Sequence, residues 1–146
     1  TECAPCAIGK YQGGTGQSVC LDCERGKAVA VIGLTSCASC SSGFAAPRSG
    51  MRVCNACAAG TFSGSQATEC QQCTPGYFSS AAASESCSPC ASGKVAPQSG
   101  FTACVLCPIG TSQPASGQIN CKACAAGSFS NLEGSASCSD CPGNTF

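Results

Sequence analysis

Aromatic side chains are sparse along the chain, and two places within a period of about 17 residues carry the large apolar residues that sort the periods. In five periods an aromatic stands five residues beyond the second cysteine of a C-x-x-C pair, at Tyr11, Phe62, Phe78, Phe129 and Phe146. Four other periods carry Ala28, Ala45, Val95 and Ser112 there. Three of them have Leu34, Met51 or Phe101 three residues before the next cysteine instead, and the fourth has Gln118. No 3.6-residue apolar period survives, because Gly, Ser and Pro interrupt every candidate run, so almost no helix is expected. Stretches such as "KYQ" and "TFS", each followed by a return such as "QSVC", predict short extended pieces folded into hairpins.

The fixed letters of the repeat are the cysteines and two turn marks. C-x-x-C pairs begin at Cys3, Cys20, Cys37, Cys54, Cys70, Cys87, Cys104, Cys121 and Cys138, in steps of 17 with one step of 16 from Cys54 to Cys70. Three residues after each second cysteine stands Gly9, Gly26, Gly43, Gly60, Gly76, Gly93, Gly110 or Gly127, and Asn144 takes the ninth slot. Asparagine is the side chain that best tolerates the left-handed conformation, so this mark predicts a turn with positive φ. Four residues before the next pair, glycine recurs at Gly16, Gly33, Gly50, Gly100, Gly117 and Gly134, with Gln66 and Ala83 as exceptions. That second mark reads as the reversal of the hairpin. The frames are 3–19, 20–36, 37–53, 54–69, 70–86, 87–103, 104–120 and 121–137, with 138–146 partial.

The aromatic periods and the others form two classes. Three of the non-aromatic periods also carry a matched proline, Pro47, Pro97 or Pro114, where aromatic ones have Gly13, Gly64, Ser80 and Asn131. In chain order the classes run with a period of four repeats. One reading is a stack that rotates by roughly a quarter turn per repeat, the aromatics lining one side; the other is duplication without geometric meaning.

Composition changes the picture by removing the usual source of stability. The apolar share is carried largely by alanine and cysteine, and the aromatics are few. A conventional core is not available, and the cysteines must supply cross-links, metal ligands or reactive thiols. Three pairing rules respect the repeat: within each C-x-x-C, second cysteine to first of the next pair, or first to second of the next pair. Bonds within C-x-x-C close small, strained rings and leave the hairpins open. The second rule closes each hairpin with the shortest unstrained loop and is preferred, although spacing alone does not decide connectivity. It pairs Cys6 with Cys20, Cys23 with Cys37, Cys40 with Cys54, Cys57 with Cys70, Cys73 with Cys87, Cys90 with Cys104, Cys107 with Cys121 and Cys124 with Cys138. Cys3 and Cys141 are then left for partners outside this stretch, and Thr1 reads as internal to a longer or processed chain. Bridges in this number point to an oxidising, extracellular compartment.

Other chemistries find little footing. Seven acids balance seven bases with no basic run, so nucleic acid is not an expected partner, and no apolar run is long enough to insert in a membrane. Paired C-x-x-C motifs are a zinc signal, but nine pairs do not divide two by two and histidine is absent. Thiol catalysis calls for one activated pair rather than nine equivalent ones. The acids occupy no repeated pair of positions and no histidine is present to activate a nucleophile, so neither an enzyme nor a cofactor is expected. The Ser/Thr-rich loops "SGSQAT", "SSAAASES" and "SNLEGSAS" are candidate O-glycan acceptors, while no N-x-S/T sequon occurs.

The pattern C-x-x-C-x-x-G-x-[YF] with a small polar loop ending in "SxxC" resembles the ephrin-receptor-like cysteine-rich repeat. It is also similar to the first half of a tumour necrosis factor receptor module and, more broadly, to EGF-like modules. "CAIGKYQGGTGQSVCLDC", "CTPGYFSSAAASESCSPC" and "CPIGTSQPASGQINCKAC" carry the likeness, which covers the whole chain. The resemblance implies the bond that spans the Gly–aromatic segment, in agreement with the second pairing rule. Receptor modules interleave other cysteine patterns, whereas this stretch is uniform and four of its periods lack the aromatic. The expectation is a small disulfide-rich fold: an elongated, solenoid-like rod of about nine tandem 17-residue repeats made of short β-hairpins and turns. The expected role is an extracellular structural spacer at the cell surface or in a filament, such as a flagellar hair. Its partners would be neighbouring repeats, other copies and O-glycans. A receptor ectodomain and a metal-binding cysteine array are the alternatives.

Overall fold

The β-structure of the chain is reduced to its smallest increments, because the return strand of each hairpin is the two residues between the cysteines of a C-x-x-C pair. The computed structural model describes residues 4–14 and 16–143. Among them no helix occurs, and every strand is two residues long. β1 (Lys10–Tyr11) pairs with β2 (Leu21–Asp22), β3 (Lys27–Ala28) with β4 (Ala38–Ser39), β5 (Phe44–Ala45) with β6 (Asn55–Ala56) and β7 (Thr61–Phe62) with β8 (Gln71–Gln72). β9 (Tyr77–Phe78) pairs with β10 (Ser88–Pro89), β11 (Lys94–Val95) with β12 (Val105–Leu106), β13 (Thr111–Ser112) with β14 (Lys122–Ala123) and β15 (Ser128–Phe129) with β16 (Ser139–Asp140). The molecule is thus a disulfide-rich repeat array of short hairpins. The first strand of each starts right after the glycine turn, and the second lies inside the next C-x-x-C.

Two compact units are distinguished. The first gathers the described residues of Thr1–Ala58, Phe62–Gln71 and Ala82–Ser86, the second those of Ala59–Thr61, Gln72–Ala81 and Cys87–Phe146. In the first unit, Lys10 pairs with Asp22 and Tyr11 with Leu21, and an ion pair of 2.9 Å between Lys10 Nζ and Asp22 Oδ1 reinforces that register. In the second, Lys94 pairs with Leu106 and Val95 with Val105.

A two-residue hairpin is not stable alone, and what holds these is a backbone ladder between consecutive loops. In the first unit Gly9 N–H donates to Val29 O at 2.9 Å, Cys23 N–H to Gly9 O at 3.0 Å, Val29 N–H to Met51 O at 3.2 Å and Gly50 N–H to Cys23 O at 2.8 Å. In the second unit Gly76 N–H donates to Ala96 O at 2.7 Å, Cys90 N–H to Gly76 O at 2.9 Å, Ala96 N–H to Gln118 O at 3.2 Å and Gly117 N–H to Cys90 O at 2.8 Å. The four bonds recur at equivalent positions, so each repeat satisfies its backbone on its neighbours rather than within itself.

The buried interior of each unit is made of small groups. Cys6, Cys23, Cys40, Cys57, Cys73, Cys90 and Cys107, all second cysteines, are buried, together with Ala28, Val29, Ala45, Ala46, Val95 and Ala96. Ser63, Ser79, Ser112, Gln113 and Ser130 lie among the buried positions too. The Gln113 amide is satisfied at both ends, Nε2 donating to Asn120 O at 2.7 Å and Oε1 accepting from Ala115 N at 3.2 Å. Buried polar groups are tolerated when paired in this way.

Candidate functional site

The feature that repeats most faithfully is the disulfide ladder. Eight bridges join Cys6 to Cys20, Cys23 to Cys37, Cys40 to Cys54, Cys57 to Cys70, Cys73 to Cys87, Cys90 to Cys104, Cys107 to Cys121 and Cys124 to Cys138. Each closes a span of 14 residues, or 13 for Cys57–Cys70. The shorter span absorbs the missing residue in the loop, leaving the C-x-x-C-x-x-G frame undisturbed. Closing such a loop removes about 3 kcal/mol of unfolded-state freedom. Bridged sulfurs are not thiolates, so these sixteen cysteines offer no ligand set to a metal ion. Cys141 is an exposed free thiol, and Cys3 lies outside the described residues.

The glycine after each pair does two things at once. Ala7 O accepts from Lys10 N–H at 3.0 Å, and Gly9 between them has φ +84°, the value that the third position of a type II turn requires. Gly26, Gly43, Gly60, Gly76, Gly93, Gly110 and Gly127 share that positive φ; Asn144 lies outside the described residues. Geometry adds a second constraint. A Cβ on Gly9, Gly26, Gly43, Gly60, Gly76 or Gly93 would overlap the carbonyl oxygen of Gly50, Gln66, Ala83, Gly100, Gly117 or Gly134 respectively, two repeats further on. The turn therefore also lies directly against backbone two repeats away, a role its position in sequence does not reveal.

The two exceptions at the second mark also take the left-handed conformation, Gln66 at φ +57° and Ala83 at φ +58°. Their N–H groups keep the ladder bonds, Gln66 N–H to Cys40 O and Ala83 N–H to Cys57 O, both 2.8 Å. The ladder holds the conformation even where the side chain opposes it.

Among the aromatics, Tyr11, Phe62 and Phe78 are half-buried, Phe129 is exposed, and Phe146 lies outside the described residues. The smaller residues at the same repeat position, Ala28, Ala45, Val95 and Ser112, are the buried ones. The slot encloses a methyl, an isopropyl or a hydroxymethyl group, whereas a ring is covered only in part. One residue further on is a repeat position that sequence reasoning passed over: Val29, Ala46, Ser63, Ser79, Ala96, Gln113 and Ser130 are all buried. Its chemistry is too mixed to show as a hydrophobic stripe. Its only sequence signal is a constant distance of six residues from the second cysteine.

Comparison with known families gives one result. The model of the family described as tyrosine-protein kinase ephrin type A/B receptor-like matches residues 60–101 and 93–141, together more than half of the chain. A search of curated proteins returned no match. Among the described residues no helix is long and apolar enough to cross a membrane. Bridges and family together fit an extracellular, disulfide-rich module.

Proposed function

This chain belongs to the ephrin type A/B receptor-like family, and from that premise we propose that it serves as a structural spacer, a disulfide-laddered rod holding larger domains apart outside the cell. The observation that supports this reading is the uniformity of the ladder. The same four backbone bonds and the same bridge recur from repeat to repeat, and the same glycine contact recurs from Gly9 to Gly93, with little dependence on the loop sequences. Load applied along such an array passes through closed loops tied to both neighbours. Secretion, filament assembly, glycan-bearing loops and a non-enzymatic role belong to the same proposal.

Single-molecule stretching of the oxidised chain tests it. A spacer should extend in small increments limited by the 14-residue loops and lengthen several-fold after reduction. An oxidised chain as extensible as the reduced one would refute the spacer. The second reading is a receptor ectodomain, favoured by the adjacent exposed apolar pair Val31 and Ile32, 59% and 58% accessible. Loss of ligand capture on replacing that pair by serine would select it.

A further inference from the structure

Two notches of the same construction lie four repeats apart along the chain, one within each unit. In the first unit Tyr11, Glu24, Lys27, Ser36 and Cys37 line a notch of about 180 Å³. In the second unit the residues at the same repeat positions, Phe78, Ala91, Lys94, Ala103 and Cys104, line one of about 370 Å³. Ring, lysine and bridged cysteine are retained, while Glu24 is replaced by Ala91 and Ser36 by Ala103. In the first notch Lys27 Nζ donates to Glu24 Oε2 at 3.1 Å. Among the described residues the ion pairs are Lys10–Asp22 and Lys27–Glu24, so Lys94 is unpaired. The second notch is the first with its acid removed and its volume enlarged.

We propose that the Phe78–Lys94 notch is a docking site for a glutamate side chain of a partner polypeptide. In the first notch the lysine at this position is paired with a carboxylate, Glu24, which forms part of the wall. In the second, Phe78, Pro89 and Ala91 present apolar walls to the methylenes of such a side chain, and Lys94 presents its ammonium to the carboxylate. A spacer and a receptor would both display this surface. One internal competitor exists: Glu133 adjoins Gly134, whose carbonyl covers Gly93 beside Lys94.

The oxidised chain is treated with a water-soluble carbodiimide, which joins an ammonium to a carboxylate held against it, in the presence of hexaglutamate or hexaglutamine peptide. Mass spectrometry then counts peptide-modified lysines, with the Lys27–Glu24 link as internal control. Lys94 is expected to capture hexaglutamate about fivefold more than the exposed Lys122, a ratio equivalent to about 1 kcal/mol, the upper end for an exposed ion pair. Ala91→Glu, an exposed substitution that rebuilds the first notch, should lower capture at Lys94 to the Lys122 level while peptide mapping shows the eight bridges intact. Equal capture at Lys94 and Lys122, capture undiminished by Ala91→Glu, or a Lys94–Glu133 link within one chain in place of peptide would each overturn the proposal.

Discussion

Each repeat enters the left-handed region twice, and the two turns treat side chains differently. After the C-x-x-C pair φ runs from +77° to +88°, and glycine occupies every described example. Before the next pair φ runs from +57° to +78°, and Gln66 and Ala83 stand among the glycines. The conformational demand is similar; the crowding is not. The first turn lies under a carbonyl oxygen two repeats away, whereas at Gly50, Gly100 and Gly117 a Cβ would first meet side-chain atoms of Asp22, Gln72 and Pro89 at 3.2, 3.6 and 3.7 Å. A left-handed residue costs an L-amino acid about 1–2 kcal/mol, which a ladder of bridges can absorb. Overlap with a backbone oxygen cannot be relieved without shifting a whole repeat. At the first turn glycine is kept for space as well as conformation, whereas at the second the neighbour is a side chain that can move aside, even at Gly134, where Leu106 Cδ2 would stand 2.6 Å from a Cβ.

The most severe way to break the contrast is to remove the framework that enforces both turns. Full reduction should abolish the dispersed backbone order of the oxidised chain, since eight loops each lose about 3 kcal/mol of constraint. Hydrogen exchange before and after reduction measures it, and protection that survives reduction would count against the ladder as the source of stability. Next in size is a paired test between the two turns. Gly43→Ala, beneath the Ala83 carbonyl, should destabilise by about 3–4 kcal/mol, strain and overlap combined. Gly100→Ala, at a second turn with φ +78°, would set its methyl against Gln72 side-chain atoms at 3.6 Å and should cost only about 1 kcal/mol. Guanidinium titration of the oxidised variants compares them, and equal losses would mean that crowding is irrelevant.

At the second turn the sign should reverse. Ala83→Gly relieves a left-handed alanine at the expense of unfolded-state entropy and should stabilise by about 0.5 kcal/mol in the same titration. The smallest effect belongs to the exposed pair in the first notch. Glu24→Ala should lower stability by about 0.3 kcal/mol, a difference that vanishes in 1 M salt.

Reading the chain before seeing its fold captured whatever repeats in residue type. The positions of Gly9 and its counterparts mark turns, and the two C-x-x-C cysteines differ in role because one opens a loop and the other closes it. The burial of Val29, Ser63 and Gln113 at one repeat position escaped that reading, because a position that takes Val, Ser and Gln leaves no periodic hydrophobicity behind. Nor did Gln66 and Ala83 announce their positive φ. Neither favours that conformation, and it is imposed by the ladder bonds to Cys40 and Cys57.

The amino-acid sequence by itself determined the period, the hairpin frame and the chemistry of the cross-links, since these follow from spacing and from the scarcity of bulky apolar side chains. Only the tertiary structure decided which small residues face inward, why the aromatics extend outward, and which glycines are irreplaceable. The last of these depends on backbone atoms supplied two repeats further along the chain, and carbonyl oxygens are the same in every residue type.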